Sequence, residues 1–275
     1  MANCDSCPSK GKCSSDKESC MIENNPKNNV KNIIAVMSGK GGVGKSSVTG
    51  ALASEVRARG FSVGILDADI TGPSIPRIFG LNGENAYANE EGIMPLTTAT
   101  GIKVMSMNFL TEYEEQAVIW RGPLIAGAVK QFWTDVVWGD LDYLFVDMPP
   151  GTGDVPLTVM QVMPVTGVVM VSTPQNMVSM IVAKAVNMTE KMNKKVIGVI
   201  ENMSYIECKN CGEKTYIFGE NSAEEAAEKV GADLLGELPL DTEMAELSEE
   251  GKIELYIKMN DRFKKITDNV LEKIK

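Results

Sequence analysis

The sequence predicts a doubly wound α/β fold around a mostly parallel sheet, and three observations carry that expectation. Apolar runs recur along the chain as unbroken stretches, which suits strands buried on both faces of a parallel sheet. Stretches of helical periodicity lie between them, giving the strand–helix alternation of a doubly wound sheet. The first run passes directly into a glycine-rich loop that opens a helix, an arrangement suited to binding an anion at the helix N-terminus.

In chain order, residues 1–30 form a segment that holds four of the six cysteines among Ser, Lys, Asp and Asn. It has no apolar periodicity and is expected to order only around a metal. Residues 31–275 form the globular domain. Strands are expected at 33–37, 63–66, 104–107, 143–146, 168–171 and 196–200, and helices at 45–59, 124–137, 177–192 and 222–230. No internal repeat or low-complexity tract interrupts them.

At 275 residues the chain can bury a sizeable core without disulfides. Its hydrophobic fraction of 44% and charged fraction of 23% are ordinary for a soluble globular protein. The longest apolar runs are too short to span a bilayer, and no apolar stretch follows a basic start, so the cytoplasm is the expected compartment. A net charge of −10 disfavours a nucleic-acid partner, since phosphate binding needs a basic surface. Six cysteines in such a chain favour metal or redox chemistry over structural disulfides. With no histidine present, a soft-ligand site must be thiolate throughout or be completed by another molecule.

Gly39-Lys40-Gly41-Gly42-Val43-Gly44-Lys45-Ser46 satisfies G-x-x-x-x-G-K-[ST] in the strand–loop–helix context that the motif requires. Its glycines let backbone N–H groups face phosphates, and the helix N-terminus adds positive potential. Lys45 is expected to reach the terminal phosphates and Ser46 to offer its hydroxyl to Mg²⁺, with Ser47 completing the nucleotide-binding run. Asp147 closes the run 143–146, at the strand end where open α/β sheets bind ligands, and is expected in the Mg²⁺ shell. Asp67 and Asp69 follow the run 63–66 in the same way and, two residues apart, can face one side of an extended chain. The late strand ends Glu201-Asn202-Met203-Ser204 without the N-K-x-D signature of GTP-specific proteins, which favours ATP.

Lys40 adds a second lysine to the loop, which resembles the deviant Walker A loop of the P-loop group that includes MinD, ParA and the nitrogenase iron protein. The strings LDADITGPSIPR, WRGP, WGDLDYLFVDMPPGTGD, STPQ and ENMSYIECKNCG resemble the Mrp/ApbC family of iron–sulfur cluster carriers, over residues 32 to about 240. The resemblance implies a homodimeric ATPase in which Lys40 reaches across to the partner's nucleotide. It also implies that Asp69 orients the attacking water, that Asn202 contacts adenine, and that Pro239 lies in a loop closing over the base. Lys40, Lys45 and Asp69 are thus the expected catalytic residues.

Cys208-Lys209-Asn210-Cys211 is a C-x-x-C, whose spacing lets two thiolates bind one metal centre. A four-thiolate site then needs two chains, which points to a metal bridged across a homodimer. The spacing also fits half a structural zinc clasp or a redox disulfide, whereas the resemblance implies a labile [4Fe–4S] cluster awaiting transfer. Cys4, Cys7, Cys13 and Cys20 make a complete four-thiolate set for an iron–sulfur cluster or a zinc knuckle. They resemble the N-terminal centre of the family's cytosolic-scaffold branch, where a distant cysteine precedes C-x₂-C-x₅-C. Cys4, Cys7 and Cys13 match the close trio, and Cys20 lies after it.

Met177, Met180, Met188 and Met192 sit near helical spacing and are expected in the core rather than as a surface for apolar partners. Phe263, Ile266, Val270 and Ile274 share one face of the C-terminal stretch and are expected to pack onto the body rather than a membrane. The functional expectation is an ATP-hydrolysing carrier that assembles a [4Fe–4S] cluster at a homodimer interface and passes it to apo-proteins, using ATP and Mg²⁺. Two other readings share the fold: an ATP-gated electron donor, against which the C-x-x-C counts, and a MinD-like positioning or membrane-targeting ATPase with a structural zinc, in which the N-terminal cysteines have no task.

Overall fold

The computed structural model describes residues 24–69, 72–110, 122–174, 176–219 and 223–274. Cys4, Cys7, Cys13 and Cys20 lie outside the described residues. The elements in order are β1 (Asn29–Ser38), α1 (Lys45–Ala58), β2 (Val63–Asp67), α2 (Ile75–Ile78), β3 (Tyr87–Asn89), β4 (Gly92–Met94), β5 (Leu96–Thr97) and β6 (Lys103–Ser106). They continue with α3 (Gly122–Thr134), β7 (Asp140–Asp147), α4 (Asp154–Val162), β8 (Gly167–Ser172), α5 (Asn176–Lys191) and β9 (Val196–Glu207). The C-terminal part adds β10 (Lys214–Thr215), α6 (Ala223–Lys229), β11 (Leu234–Pro239), α7 (Thr242–Glu249), α8 (Ile253–Met259) and α9 (Arg262–Ile274).

The main sheet runs β10-β9-β8-β1-β7-β2-β6-β5, with β11 also on β9. Every pair among β9, β8, β1, β7, β2 and β6 is parallel, as is β11 on β9, while β10 and β5 pair antiparallel at the two ends. The doubly wound expectation therefore holds. All residues of β2 and β8 are buried, as are residues 33–38 of β1, which is why these strands read as unbroken apolar runs. In the register, Val36 stands beside Asp147 and Asp147 beside Asp67. The carboxyl ends of β1, β7 and β2 thus open at one level, where the phosphate-type loop emerges.

Helix α3 stops at Thr134, short of the expected 137, because tertiary contacts capture the next residues. Val136 forms an isolated bridge with Ile93, and the buried Trp138 donates its indole N–H to the Phe132 carbonyl at 3.1 Å. Phe263, Ile266 and Val270 of α9 are buried and Ile274 packs against the same core, so this apolar face is covered by the body, as expected. Met188 and Met192 also pack on the core, whereas the side chains of Met177 and Met180 lie outside the described residues. Among the described residues no helix is long and apolar enough to cross a membrane.

Candidate functional site

Residues 39–44 join β1 to α1. Gly42 (φ 78°) and Gly44 (φ 77°) both take the left-handed conformation that side chains disfavour. At Gly44 space forbids a side chain as well, since a Cβ would lie 2.3 Å from Asn202 Nδ2. Gly44 is also the N-cap of α1 and brings no side-chain acceptor to the helix start. The first-turn N–H groups of α1 are thus left for an anion, as phosphate-binding loops require. Gly39 and Val43 are buried, Gly41 is exposed, and Lys40 is half-buried with its carbonyl accepting the Ser38 hydroxyl at 3.0 Å.

Lys45, Ser46 and Asp147 come together at the start of α1. Lys45 Nζ lies 2.7 Å from Asp147 Oδ1 and 3.3 Å from Ser46 Oγ, and Ser46 donates to Asp147 Oδ2 at 2.6 Å. Thr49 Oγ1 lies 2.9 Å from both Asp147 Oδ1 and the Lys45 carbonyl. Asp147 is fully buried and the lysine nearly so, a placement that ionised groups tolerate only when paired. Ser47 follows half-buried on the same turn.

Asp67 stands beside Asp147 in the register and is also fully buried. Its carboxylate accepts the N–H groups of Asp69 (3.1 Å) and Ile75 (3.2 Å) and the Ser106 hydroxyl (3.4 Å). Burial and then the neighbouring Asp147 hold its pKa well above the ordinary range, against the pull of Lys45. The side chains of Asp67, Asp147 and Lys45 are thus buried together at the strand ends. Asp69 is half-buried just beyond β2. Asp67 therefore shapes the loop on which Asp69 sits, so the two aspartates occupy different environments.

Asn202 sits on β9, buried, and donates Nδ2 to the Val43 carbonyl at 2.9 Å, which fastens β9 to the phosphate-type loop. The next residue, Met203, has φ 59°, a left-handed value that is uncommon outside glycine. It marks where β9 departs from β8: their last register pair is Ser172 with Glu201, while β11 follows β9 as far as Pro239 beside Tyr205. Ser204 donates to Glu201, whose burial raises its pKa. Pro239 is buried at the end of β11, Leu240 N–H donates to the Tyr205 carbonyl at 2.8 Å, and Asp241 caps α7. The loop 239–241 thus lies along the outer part of β9.

The same strand ends in the cysteine hairpin, where Glu207 pairs with Lys214 and Ile206 with Thr215. Cys208 and Cys211 are exposed free thiols in the turn, which Cys208 N–H closes to the Glu213 carbonyl at 2.9 Å and Gly212 N–H to the Cys208 carbonyl at 2.8 Å. The N–H groups of Asn210 and Cys211, then the Cys211 thiol, hold the Cys208 pKa below its ordinary value. They favour the thiolate, the form that binds metal. Among the described residues no group of three or more Cys, Asp or Glu is arranged to hold a metal ion. Ile206, Tyr216, Ile217 and Phe218, which flank the two cysteines in sequence, are exposed.

Sequence reasoning overlooked Thr49, although its place one turn after Lys45 on a helix puts it on the Asp147 side. The contacts of Asn202 with Val43 and of Asp67 with Asp147 join residues far apart in sequence, and no local pattern announces them.

Residues 29–275 match the family described as ParA, NUBPL iron-transfer P-loop NTPase. An iron–sulfur cluster carrier protein of Clostridium perfringens is 51% identical over 274 residues, covering 94% of this chain and 96% of that relative. A protein of the same name from Methanocaldococcus jannaschii is 43% identical over 280 residues, covering 98% of this chain and 96% of the relative. Among solved structures, a nucleotide-binding protein in complex with ADP from Archaeoglobus fulgidus has a TM-score of 0.73 at 48% identity, covering 82% of this chain and 89% of that one. A chain of the MinC:MinD cell division protein complex of Aquifex aeolicus has a TM-score of 0.62 at 19% identity, covering 88% and 94%, a likeness of fold alone.

Proposed function

This chain belongs to the NUBPL iron-transfer P-loop NTPase family, and on that footing we propose that it is an ATP-hydrolysing iron–sulfur cluster carrier that acts as a homodimer. The observation that carries the proposal is the course of β9. One strand touches the phosphate-type loop through Asn202 and ends at Glu207, directly before Cys208, so one element links a nucleotide site to a two-thiol turn.

In this reading the first-turn N–H groups of α1 bind the phosphates, and Lys45 turns from Asp147 to the terminal phosphate. Lys40 approaches the partner's nucleotide and stabilises charge that develops in the transition state. Asp69 orients the attacking water, and Asn202 and the Pro239 loop contact the base. Ser46 and Asp147 would hold Mg²⁺: their oxygens lie 2.6 Å apart and are hard donors of the kind that this ion takes. Mg²⁺ held there would supply positive charge to the terminal phosphates. Two C-x-x-C pairs, one from each chain, supply four thiolates for a [4Fe–4S] cargo, and the exposed apolar residues that flank them in sequence form the seam. The cargo passes to apo-proteins in the cytoplasm. Cys4, Cys7, Cys13 and Cys20 form a second centre in a separate N-terminal segment.

Anaerobically reconstituted protein, incubated with an apo-protein acceptor, tests this directly. The acceptor should gain its cluster from the wild-type chain and not from Cys208→Ala. Reduction of the acceptor without movement of iron would favour an electron donor instead.

A further inference from the structure

The loop 239–241 and the cysteine hairpin are joined by side chains that meet at Arg262, the first residue of α9. Its guanidinium lies between two acids, with Nη1 2.7 Å from Glu207 Oε2 and Nε 3.3 Å from Asp241 Oδ2. Asp241 is itself held from several sides. It caps α7 by accepting the N–H groups of Glu243 and Met244, and it takes the Tyr256 hydroxyl at 2.8 Å. Glu207 is the last residue of β9 and the neighbour of Cys208. Phe263 and Ile266, which follow on α9, are buried in the core and anchor the start of that helix. The Leu240–Tyr205 backbone bond runs alongside the same link.

We propose that Arg262 is a positioning residue that couples the loop 239–241 to the cysteine hairpin, so that nucleotide binding is felt at Cys208 and Cys211. The proposal rests on the functional reading above, in which that loop closes over the base and the two cysteines hold the cargo. A planar guanidinium can bind two carboxylates at once in fixed geometry, which an ammonium does poorly. Stability alone explains the arrangement badly. The Arg262 and Glu207 side chains are 34% and 33% exposed, so that pair contributes little to folding, while Asp241, 13% exposed, is already held by the Tyr256 hydroxyl and the α7 N–H groups. What the link does provide is a contiguous physical path from one site to the other, the requirement for coupling through structure.

The test uses the full chain, metal-free, and follows iodoacetamide alkylation of the peptide that contains Cys208 by mass spectrometry. Rates are compared without nucleotide, with Mg·ADP, and with a non-hydrolysable Mg·ATP analogue. The wild-type chain should show a nucleotide-dependent change of about fivefold or more, the lower end of ordinary allosteric coupling. Arg262→Gln and Glu207→Gln, which cut the link at two points, should each bring that ratio below about twofold. Taking a ratio cancels any local effect of Glu207 on its neighbouring thiol. ADP affinity and melting temperature should stay near wild type in both variants. A wild-type ratio preserved in either variant, or no nucleotide dependence in the wild-type chain, overturns the coupling. Failure of the carrier reading shows separately, as reconstituted wild-type protein that binds no iron through Cys208, because the alkylation ratios need no cluster.

Discussion

Replacing Asp147 by Ala removes the counter-ion of a nearly buried ammonium. Lys45 is 6% exposed and Asp147 0%, and the carboxylate accepts from Lys45, Ser46 and Thr49 at 2.6–2.9 Å. Breaking one side of a buried pair costs about 3–5 kcal/mol, because the surviving charge keeps its desolvation penalty. At roughly 2–4 °C per kcal/mol for a domain near this size, the nucleotide-free protein should melt roughly 6–20 °C lower. Lys45→Met should cost less, since the orphaned carboxylate keeps its two hydroxyl donors. Removing both charges together should cost at least about 1 kcal/mol less than the sum of the two single changes. Guanidinium unfolding and thermal melts of the four proteins in EDTA, followed by far-UV circular dichroism, measure these quantities. Additive single losses would show that the pair is not coupled.

Lys40→Ala should leave ATP affinity within a few-fold of wild type while turnover falls by about 10²-fold or more, as loss of a trans cation does; full turnover in an ATPase assay would remove Lys40 from the mechanism. Asp69→Asn should lower turnover with nearly unchanged nucleotide affinity, because a water-orienting group adds little to ground-state binding; a matched loss in affinity by calorimetry would argue otherwise. Lys31 and the N–H and hydroxyl of Ser62 hold the Asp142 pKa down to about 2, so its stabilisation is complete above the unfolded value and is lost as pH falls toward 2. Asp142→Asn should therefore be less stable than wild type at pH 6, by on the order of 1 kcal/mol at this solvent-screened site, with the gap narrowing as pH falls to 2.5 and closing only below about 2; a gap that ignores pH in urea titrations would argue against the Lys31 and Ser62 contacts.

The strands that build the centre of the sheet were legible because burial on both faces leaves no room for alternation. The peripheral elements were not. Helix α4 is nine residues long and carries Pro156 in its first turn. Strand β11 reads LLGELP, with a glycine, an acid and a proline where an apolar run would be expected. At the site, the loop 39–46 is local in sequence and so could be read directly. The Asn202–Val43 bond spans 159 positions, and the Arg262 link brings together β9, the loop before α7 and α9. Such contacts are set by strand register and helix packing, which periodicity does not encode. Asp67 shows the same limit: its place after β2 was evident, whereas its full burial beside Asp147 follows from the order of β2 and β7.

If Cys208 and Cys211 of two chains hold one transferable cluster, the metal content of the dimer is fixed by symmetry. The measurement is iron, acid-labile sulfide and native mass of the full chain after anaerobic reconstitution, with Cys4, Cys7, Cys13 and Cys20 changed to Ser. The expected result is a dimer with about two irons and about two sulfides per chain, half of a shared four-iron unit, lost on Cys208→Ala with ADP binding retained. One tightly held zinc per dimer, unaffected by iron reconstitution, would contradict it and make the cysteine pair a structural clasp.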